Sequence, residues 1–224
     1  GDRQLYVHPG GILGASKSQA QRKLCAYSLS GLGLDAVVPR SEELTLDPKL
    51  LVDEAQLHGL PYIATNLYDA KTNRRVFPPF VLRELPSGEF ISIIGLVGQN
   101  QLNELTPDAR SAWKLFDSEE SIKTAQREMY QQLGRMPDLV VVLQSGGRKA
   151  FDTGITAAAD IVITDGLDEE LIRRRERIEV AAEESGRFGL SSSRTLLVAE
   201  THPLTIGRII SRFRQSNDVL ESPR

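Results

Sequence analysis

The segment LDAVVPRSEELTLDPKLL, residues 34–51, restricts the fold more than any other part of the sequence. Its apolar residues 36–38 are typical of a buried strand. Asp47 and Pro48 then provide an N-cap and a first-turn proline for a helix that extends to His58. A short strand, a loop and a helix in this order are typical of α/β proteins. The segment therefore predicts an α/β fold.

The rest of the chain continues this alternation of strands and helices. A helix is expected from an N-cap at Ser16 to a stop at Gly31, and another from Asp117, whose Glu120 would complete a capping box. Strands are predicted at 4–8, 62–66, 80–85, 89–95, 139–143, 161–164, 196–200 and 205–214, with 80–95 forming a β-hairpin. The pattern predicts a layered α/β sandwich. A chain of 224 residues with 40% hydrophobic content fits one domain covering 1–224.

The composition excludes several kinds of partner and site. A net charge of -3 and a pI near 5.7 give no general attraction to nucleic acid or to anionic lipid. No apolar run approaches the roughly 20 residues that a membrane-spanning helix needs. Cys25 is the only cysteine, which excludes an internal disulfide and a cysteine-based zinc site. We therefore expect no nucleic acid partner and no membrane span.

Five short motifs occur one after another along the chain. The motifs are Leu-Asp-Ala-Val at 34–37, Asn-Leu-Tyr-Asp at 66–69, Lys-Thr-Asn at 71–73, Phe-Pro-Pro-Phe at 77–80 and Ile-Ile-Gly-Leu at 93–96. From residue 5 to about 210 this order resembles the calcineurin-like metallophosphoesterases, specifically the N-terminal catalytic domain of the 5'-nucleotidase branch. The resemblance implies a layered α/β/β/α sandwich.

The resemblance also implies a pair of metal ions that activate a bridging water for attack on phosphorus, held by carboxylates and imidazoles. The matching positions here carry other residues. The aspartate of the family's Gly-Asp falls at Gly11. The asparagine and histidine of Gly-Asn-His-Glu fall at Ser41 and Glu42, while the glutamate is kept as Glu43.

Two later ligand motifs have changed as well. The family's Ser-His falls on Gln144 and Ser145, and its Gly-His-x-His falls on residues 165–168, which are Asp-Gly-Leu-Asp. The family's opening strand, with its Asp-x-His pair, has no counterpart, because the chain starts just before the second strand. We therefore expect a degenerate copy of the family domain, with the first strand missing and without its metal ligands.

We expect neither a cofactor nor a metal site of the family type. The remnant acidic positions are Glu42, Glu43 and Asp168. An alternative is a rebuilt site, in which these three carboxylates converge with Asp165 and hold Ca²⁺ or Mg²⁺.

The segment Gln-Ser-Gly-Gly-Arg-Lys at 144–149 is the best candidate for ligand contact. It follows a predicted buried strand, so free backbone N–H groups beside two cations would suit an anion. The predicted anion-binding residues are Ser145, Gly146, Gly147 and Arg148. The alternative is a plain glycine turn with basic residues exposed to solvent.

Two functions are consistent with this pattern. One is a non-catalytic scaffold or interaction domain, a pseudoenzyme on a 5'-nucleotidase-like fold. The other is a hydrolase of phosphate esters or nucleotides with a rebuilt metal site. Because a missing strand would leave a sheet edge unpaired, we expect another protein subunit, or a further domain of a larger precursor, as the partner. The resembling family is mostly exported, which implies an extracytoplasmic or periplasmic location.

Overall fold

A computed structural model describes residues 5–13, 18–31, 33–146, 155, 158–165, 196–200 and 207–209. Its helices are α1 (Gln19–Ser30), α2 (Ser41–Leu44), α3 (Pro48–Leu57), α4 (Gln99–Asn103), α5 (Pro107–Ser111) and α6 (Ser118–Leu133). Its strands are β1 (Leu5–His8), β2 (Ala36–Val37), β3 (Leu67–Asp69), β4 (Phe80–Glu84), β5 (Phe90–Val97), β6 (Trp113–Leu115), β7 (Leu139–Ser145), β8 (Ile161–Asp165), β9 (Leu196–Glu200) and β10 (Gly207–Ile209). Elements of both types alternate along the chain, as the sequence predicts.

The larger sheet has the strand order β4-β5-β7-β8-β9. The β4–β5 pair is the predicted antiparallel hairpin, and the remaining pairs are parallel. Between β5 and β7 the register runs from Ile91 beside Leu139 to Val97 beside Ser145. Both strands are nearly continuous in apolar residues, which is typical of strands that are covered on both faces.

A smaller sheet has the order β10-β1-β2. Strand β1 runs parallel to β2, with Val7 beside Ala36, and antiparallel to β10, with Leu5 beside Ile209. A missing first strand predicts a sheet edge that another subunit or a further domain would cover. In the structure one edge of β1 pairs with β10, a later strand of the same chain.

Two apolar clusters arrange the elements in layers. The first joins the two sheets to α1 and α3, and includes Val7, Val37, Ile93, Leu143, Ala26 and Leu51. The second joins the opposite face of the larger sheet to α6, and includes Ile94, Leu96, Val142, Val162, Ile122 and Met129. Successive side chains of a strand point to opposite faces, which explains how neighbours such as Ile93 and Ile94 enter different clusters. The α/β fold class and its layered arrangement are confirmed.

Two local predictions need correction. The N-cap of α1 is Ser18 rather than Ser16, because Ser18 and Gln21 exchange the two hydrogen bonds of a capping box. Residues 62–66 do not form the predicted strand, apart from a single bridge between Val37 and Tyr62. The backbone N–H groups of residues 63–65 donate to three different segments, at Val37, Pro78 and Gly95, instead of to one neighbouring strand. The side-chain amide of Asn66 then bonds both backbone groups of Val97.

Several other local predictions are confirmed. Asp47 accepts a hydrogen bond from the backbone of Lys49 at the start of α3, and Asp117 caps α6. Residues 166–195 lie outside the described residues. In the part of the chain that the structure describes, no helix has both the length and the apolar character needed to cross a bilayer.

Candidate functional site

The carboxylate of Glu43 lies at the centre of the candidate site and is fully buried. It accepts hydrogen bonds from five donors. These are the backbone N–H groups of Gly11 at 2.9 Å, Leu13 at 2.9 Å, Arg40 at 3.0 Å and Ile12, together with the hydroxyl of Tyr62 at 3.2 Å. A carboxylate offers about four lone-pair positions. The acceptor capacity of Glu43 is therefore taken up within the protein.

Tyr62 completes the surroundings of this carboxylate. Its side chain is buried and its ring packs against Phe77, with the centroids 5.3 Å apart. Burial raises the pKa of the Tyr62 phenol well above its ordinary value of 10.0, and the charge and hydrogen bond of Glu43 raise it further. The phenol therefore keeps its proton and acts as a donor to Glu43 over the physiological pH range.

The loop that follows β1 depends on glycine at two positions. Gly10 and Gly11 have φ angles of +100° and +82°, which residues with a side chain rarely adopt. A Cβ atom at Gly10 would lie 2.3 Å from the carbonyl oxygen of Val38. At Gly11 the backbone conformation itself disfavours an aspartate. The loop is thus shaped for glycine where the resembling family has its bridging ligand.

The side chain of Arg40 covers this loop. A Cβ atom at Gly11 would be in ordinary van der Waals contact with the Cδ atom of Arg40, at 3.8 Å, so the Arg40 stem packs beside the loop. Arg40 occupies the position of the glycine in the family's Gly-Asn-His-Glu motif. Its Nε atom lies 3.6 Å from a carboxylate oxygen of Glu42, whose side chain is 43% exposed. The positive charge of Arg40 therefore lies beside Gly11 and Glu42.

Ser41, at the position of the family's asparagine ligand, is bound to α4. Its backbone N–H donates to Gln101 Oε1 at 2.7 Å, and its hydroxyl lies 2.6 Å from Glu104 Oε2. Gln101 is itself buried. These bonds position the single turn of α2 against α4 and occupy the hydroxyl of Ser41.

Ser145 and Gly146 mark the end of β7, where an anion-binding loop is predicted. The Ser145 hydroxyl is buried and donates to the carbonyl of Pro39 at 2.7 Å, which joins β7 to the loop before α2. Gly146 has a φ of +79°. Gly147 and Arg148 lie outside the described residues, so the anion-binding site stays a prediction. Any contact of this loop with an anion depends on groups other than the Ser145 hydroxyl.

Two buried polar atoms lie beside this loop. Gln144 and Thr164 are neighbours across β7 and β8, and both are buried. Within the described part of the protein, Gln144 Oε1 and Thr164 Oγ1 have no hydrogen-bond partner. Buried polar groups in folded proteins are normally paired, so this end of the sheet has capacity for a polar ligand or a bound water.

The remaining predicted acidic positions are only partly described. Glu42 lies at the surface next to Arg40, whereas Glu43 is buried, so the two carboxylates do not act together. Asp165 ends β8 beside Glu200 of β9, and Asp168 lies outside the described residues. His8 is buried, and its Nδ1 accepts from the backbone of Gly10 at 3.0 Å.

The described residues do not fit a metal pair of the family type. Gly11 has no ligand atom, the Ser41 hydroxyl bonds Glu104, and Glu43 is occupied by backbone donors. Arg40 adds a positive charge, which would repel a metal ion. Among the residues that the structure describes, no group of three or more His, Cys, Asp or Glu side chains is placed to hold a metal.

Comparisons with known proteins agree with this fold. No family model matches the chain. A 5'-nucleotidase of Vibrio vulnificus is 25% identical over 142 residues, which cover 63% of this chain and 25% of that protein. The sulfate thiohydrolase SoxB of Thermus thermophilus superposes with a TM-score of 0.62 at 13% identity, covering 87% of this chain and 33% of that one. The calcineurin-like phosphoesterase YfkN of Bacillus subtilis superposes with a TM-score of 0.56 at 15% identity, covering 78% of this chain and 56% of that one.

The chain has the fold of the calcineurin-like phosphoesterases. It is also similar in sequence to a curated 5'-nucleotidase over 63% of its length. It spans about a quarter of the length of the curated relatives it matches. Residues 40–43, which the resemblance matches to a Gly-Asn-His-Glu motif, are Arg-Ser-Glu-Glu. The structure brings the loop after β1, the start of α2 and the end of β7 together. Hydrogen bonds from Gly11 to Glu43 and from Ser145 to Pro39 link them.

Three residues of this site were not predicted from the sequence: Arg40, Tyr62 and Gln101. Arg40 could have been found, because it takes the place of the motif's glycine. Tyr62 and Gln101 contact α2 from 19 and 60 residues away, and their spacing from it carries no signal.

Proposed function

We propose that this domain is a non-catalytic interaction domain on the metallophosphoesterase fold. The observation that supports the proposal best is the environment of Glu43. Its oxygens bind the β1 loop, the start of α2 and Tyr62, so the one retained acid serves to hold the former active site together. A residue used in this way contributes to stability rather than to chemistry.

The position of Arg40 supports the same proposal. In the superfamily's chemistry, metal cations neutralise the developing charge of the phosphoryl group. Here the Arg40 stem fills the space next to Gly11. A guanidinium has no empty orbital to polarise a water molecule and does not lose its proton, so it offers neither a Lewis acid nor a general base.

The test is a hydrolysis assay with added metals. Purified protein is incubated with 4-nitrophenyl phosphate, bis(4-nitrophenyl) phosphate and AMP in the presence of Mn²⁺, Ni²⁺, Zn²⁺, Mg²⁺ or Ca²⁺, with an active 5'-nucleotidase as positive control. We expect rates equal to those of metal and buffer alone. Metal-dependent turnover that is lost in Asp168→Asn, with the fold intact by circular dichroism, would instead establish the alternative hydrolase with a rebuilt site.

The partner of this domain is proposed to be another protein subunit or a further domain of a longer chain. Helix α1 supports this part of the proposal, because it exposes Leu24 by 67% and Tyr27 by 80%. These residues are three positions apart and lie on one face of the helix. Large apolar side chains grouped on a surface are typical of a contact with another protein.

A further inference from the structure

Helix α1 packs on the core with one face and leaves the opposite face open. Ala26 is buried, and the half-buried Cys25 and Leu29 pack against the first apolar cluster. The opposite face carries Leu24 and Tyr27, whose side chains are 67% and 80% exposed. Two large apolar side chains therefore face outward from a helix that is already anchored on its other side.

The outward apolar residues of α1 form a narrow stripe, which we call the α1 stripe and which consists of Ala20, Leu24 and Tyr27. All three are exposed, and their spacing of four and then three residues places them on one side of the helix. At a rise of about 1.5 Å per residue, the stripe extends about 10 Å along the helix axis. A stripe of this width and direction fits a second helix laid along α1, and the small side chain of Ala20 lets the two helices come close.

The charge of this part of the sequence is opposite in sign to that of the whole chain. Residues 3–34 contain four Lys or Arg residues and no Asp or Glu, although the chain has 30 acidic residues and a net charge of -3. On α1 itself, Lys23 is exposed beside the α1 stripe. Complementary charges across an interface steer association and select the partner. An acidic partner is therefore favoured over self-association of the isolated chain, because two copies would bring like charges together.

We propose that α1 docks against an acidic amphipathic helix of a partner protein, with the α1 stripe on the partner's apolar residues and Lys23 beside the partner's carboxylates. The inference rests on the proposed interaction function and names the chemistry of the partner. An anionic membrane suits this face less well, because a helix that lies on a membrane needs a broad apolar face and a polar face rich in cations. On the side away from Lys23, the stripe is flanked by the exposed polar side chains of Gln21 and Ser28.

A designed peptide tests the chemistry of the partner. The acidic peptide has three heptads with Leu at positions a and d, Glu at e and g, and Gln or Ala elsewhere, and the control peptide has Lys in place of each Glu. The protein is labelled at its N-terminus and held at nanomolar concentration, where its own association does not compete, and binding is followed by microscale thermophoresis. We expect saturable binding of the acidic peptide with a Kd below about 100 μM, and binding of the lysine peptide that is at least about tenfold weaker. Binding of the acidic peptide should weaken as salt is added.

Variants of α1 locate the contact on the protein. Leu24→Ser combined with Tyr27→Ser removes most of the α1 stripe and should weaken binding of the acidic peptide at least about tenfold. Lys23→Glu reverses the flanking charge and should weaken it at least about threefold. Arg127→Glu makes the same charge change at an exposed arginine of α6 and should leave binding unchanged. Circular dichroism checks that each variant keeps its fold.

The proposal is overturned if the acidic peptide shows no saturable binding up to about 1 mM, if the lysine peptide binds as well, or if none of the α1 variants weakens binding. Vesicles of phosphatidylcholine with about 20% phosphatidylserine form a further arm of the test. Binding to these vesicles without binding to the peptide would identify a membrane surface instead and would equally overturn the proposal. Hydrolysis of phosphate esters would contradict only the proposed non-catalytic function, since none of the donors to Glu43 lies on α1.

Discussion

The Cδ atom of Arg40 lies 3.8 Å from the position that a Cβ atom would take at Gly11, an ordinary van der Waals distance. Gly11 adopts a positive φ that residues with a side chain rarely adopt, and the stem of Arg40 packs beside it. The region around Gly11 and Arg40 is thus an organised structure with its own packing, and substitutions in it have testable effects.

The two neighbouring glutamates of α2 should differ sharply in their effect on stability. Glu43→Gln replaces one acceptor oxygen by an NH₂ group that faces backbone donors. We expect it to lower the free energy of unfolding by about 3 kcal/mol, because buried donors lose their acceptor. Glu42→Gln, at a side chain that is 43% exposed, should change it by less than about 0.5 kcal/mol. Urea denaturation measures both.

Equal free energies of unfolding for the two variants would contradict the structural role of Glu43. Full stability of Glu43→Gln together with loss of a metal-dependent activity would also contradict it, since that pattern belongs to a catalytic acid.

Tyr62→Phe should change how stability depends on pH. Burial and Glu43 raise the pKa of Tyr62 in the folded state well above 10.0, whereas the unfolded chain releases this proton near pH 10. Above about pH 10 the unfolded state therefore binds fewer protons than the folded state. The stability that Tyr62 contributes is complete below about pH 10 and falls as the pH rises further. The variant should lose about 1.5 to 3 kcal/mol at neutral pH, from the lost bond to a charged group.

The alkaline decline in stability should be shallower in Tyr62→Phe than in the wild-type protein, as measured by urea denaturation between pH 8 and roughly 11. Tyr130→Phe, at an exposed tyrosine of α6, is the control and should keep the wild-type slope. Parallel curves for wild type and Tyr62→Phe would show that the phenol is not held protonated by the fold.

Phosphate should stabilise the protein if residues 145–148 bind an anion. At ten times the Kd, the gain is about 1.4 kcal/mol, or a rise in Tm of about 3 to 6 °C for a domain of this size. Arg148→Ala should remove the shift, and Arg127→Ala should keep it. A shift that survives in Arg148→Ala, or none at millimolar phosphate, would favour a plain surface turn.

The sequence predicted most of the framework because local signals carry it. The Asp47-Pro48 start of α3 and the apolar β7 depend on neighbouring residues and were found. The strand expected at 62–66 was wrong because the N–H groups of residues 63–65 bond three distant segments rather than one neighbouring strand. For the site, the sequence predicted which positions belong to it but not the contacts between their side chains. Its hydrogen bonds join residues far apart in the sequence, such as Gly11 and Glu43 at a separation of 32 positions, and no local pattern predicts them.

The exposed face of α1 should cause the isolated chain to associate. Light scattering is expected to give a mass above the 24.8 kDa of one chain at micromolar concentrations. Replacing Leu24 and Tyr27 together by lysine should restore the mass of a single chain, because it removes the apolar contact. Leu57→Lys, at an exposed leucine of α3, is the control. A wild-type protein that stays monomeric would contradict the proposed contact on α1.

Metal content tests the central claim most directly. Protein purified without chelators and then incubated with Mn²⁺, Fe²⁺ or Zn²⁺ is passed over a desalting column and analysed by inductively coupled plasma mass spectrometry. Because Glu43 is saturated with protein donors and Arg40 fills the space beside Gly11, we predict far less than one metal ion per chain. About two Mn, Fe or Zn ions per chain, the content of a two-metal site, would contradict the account.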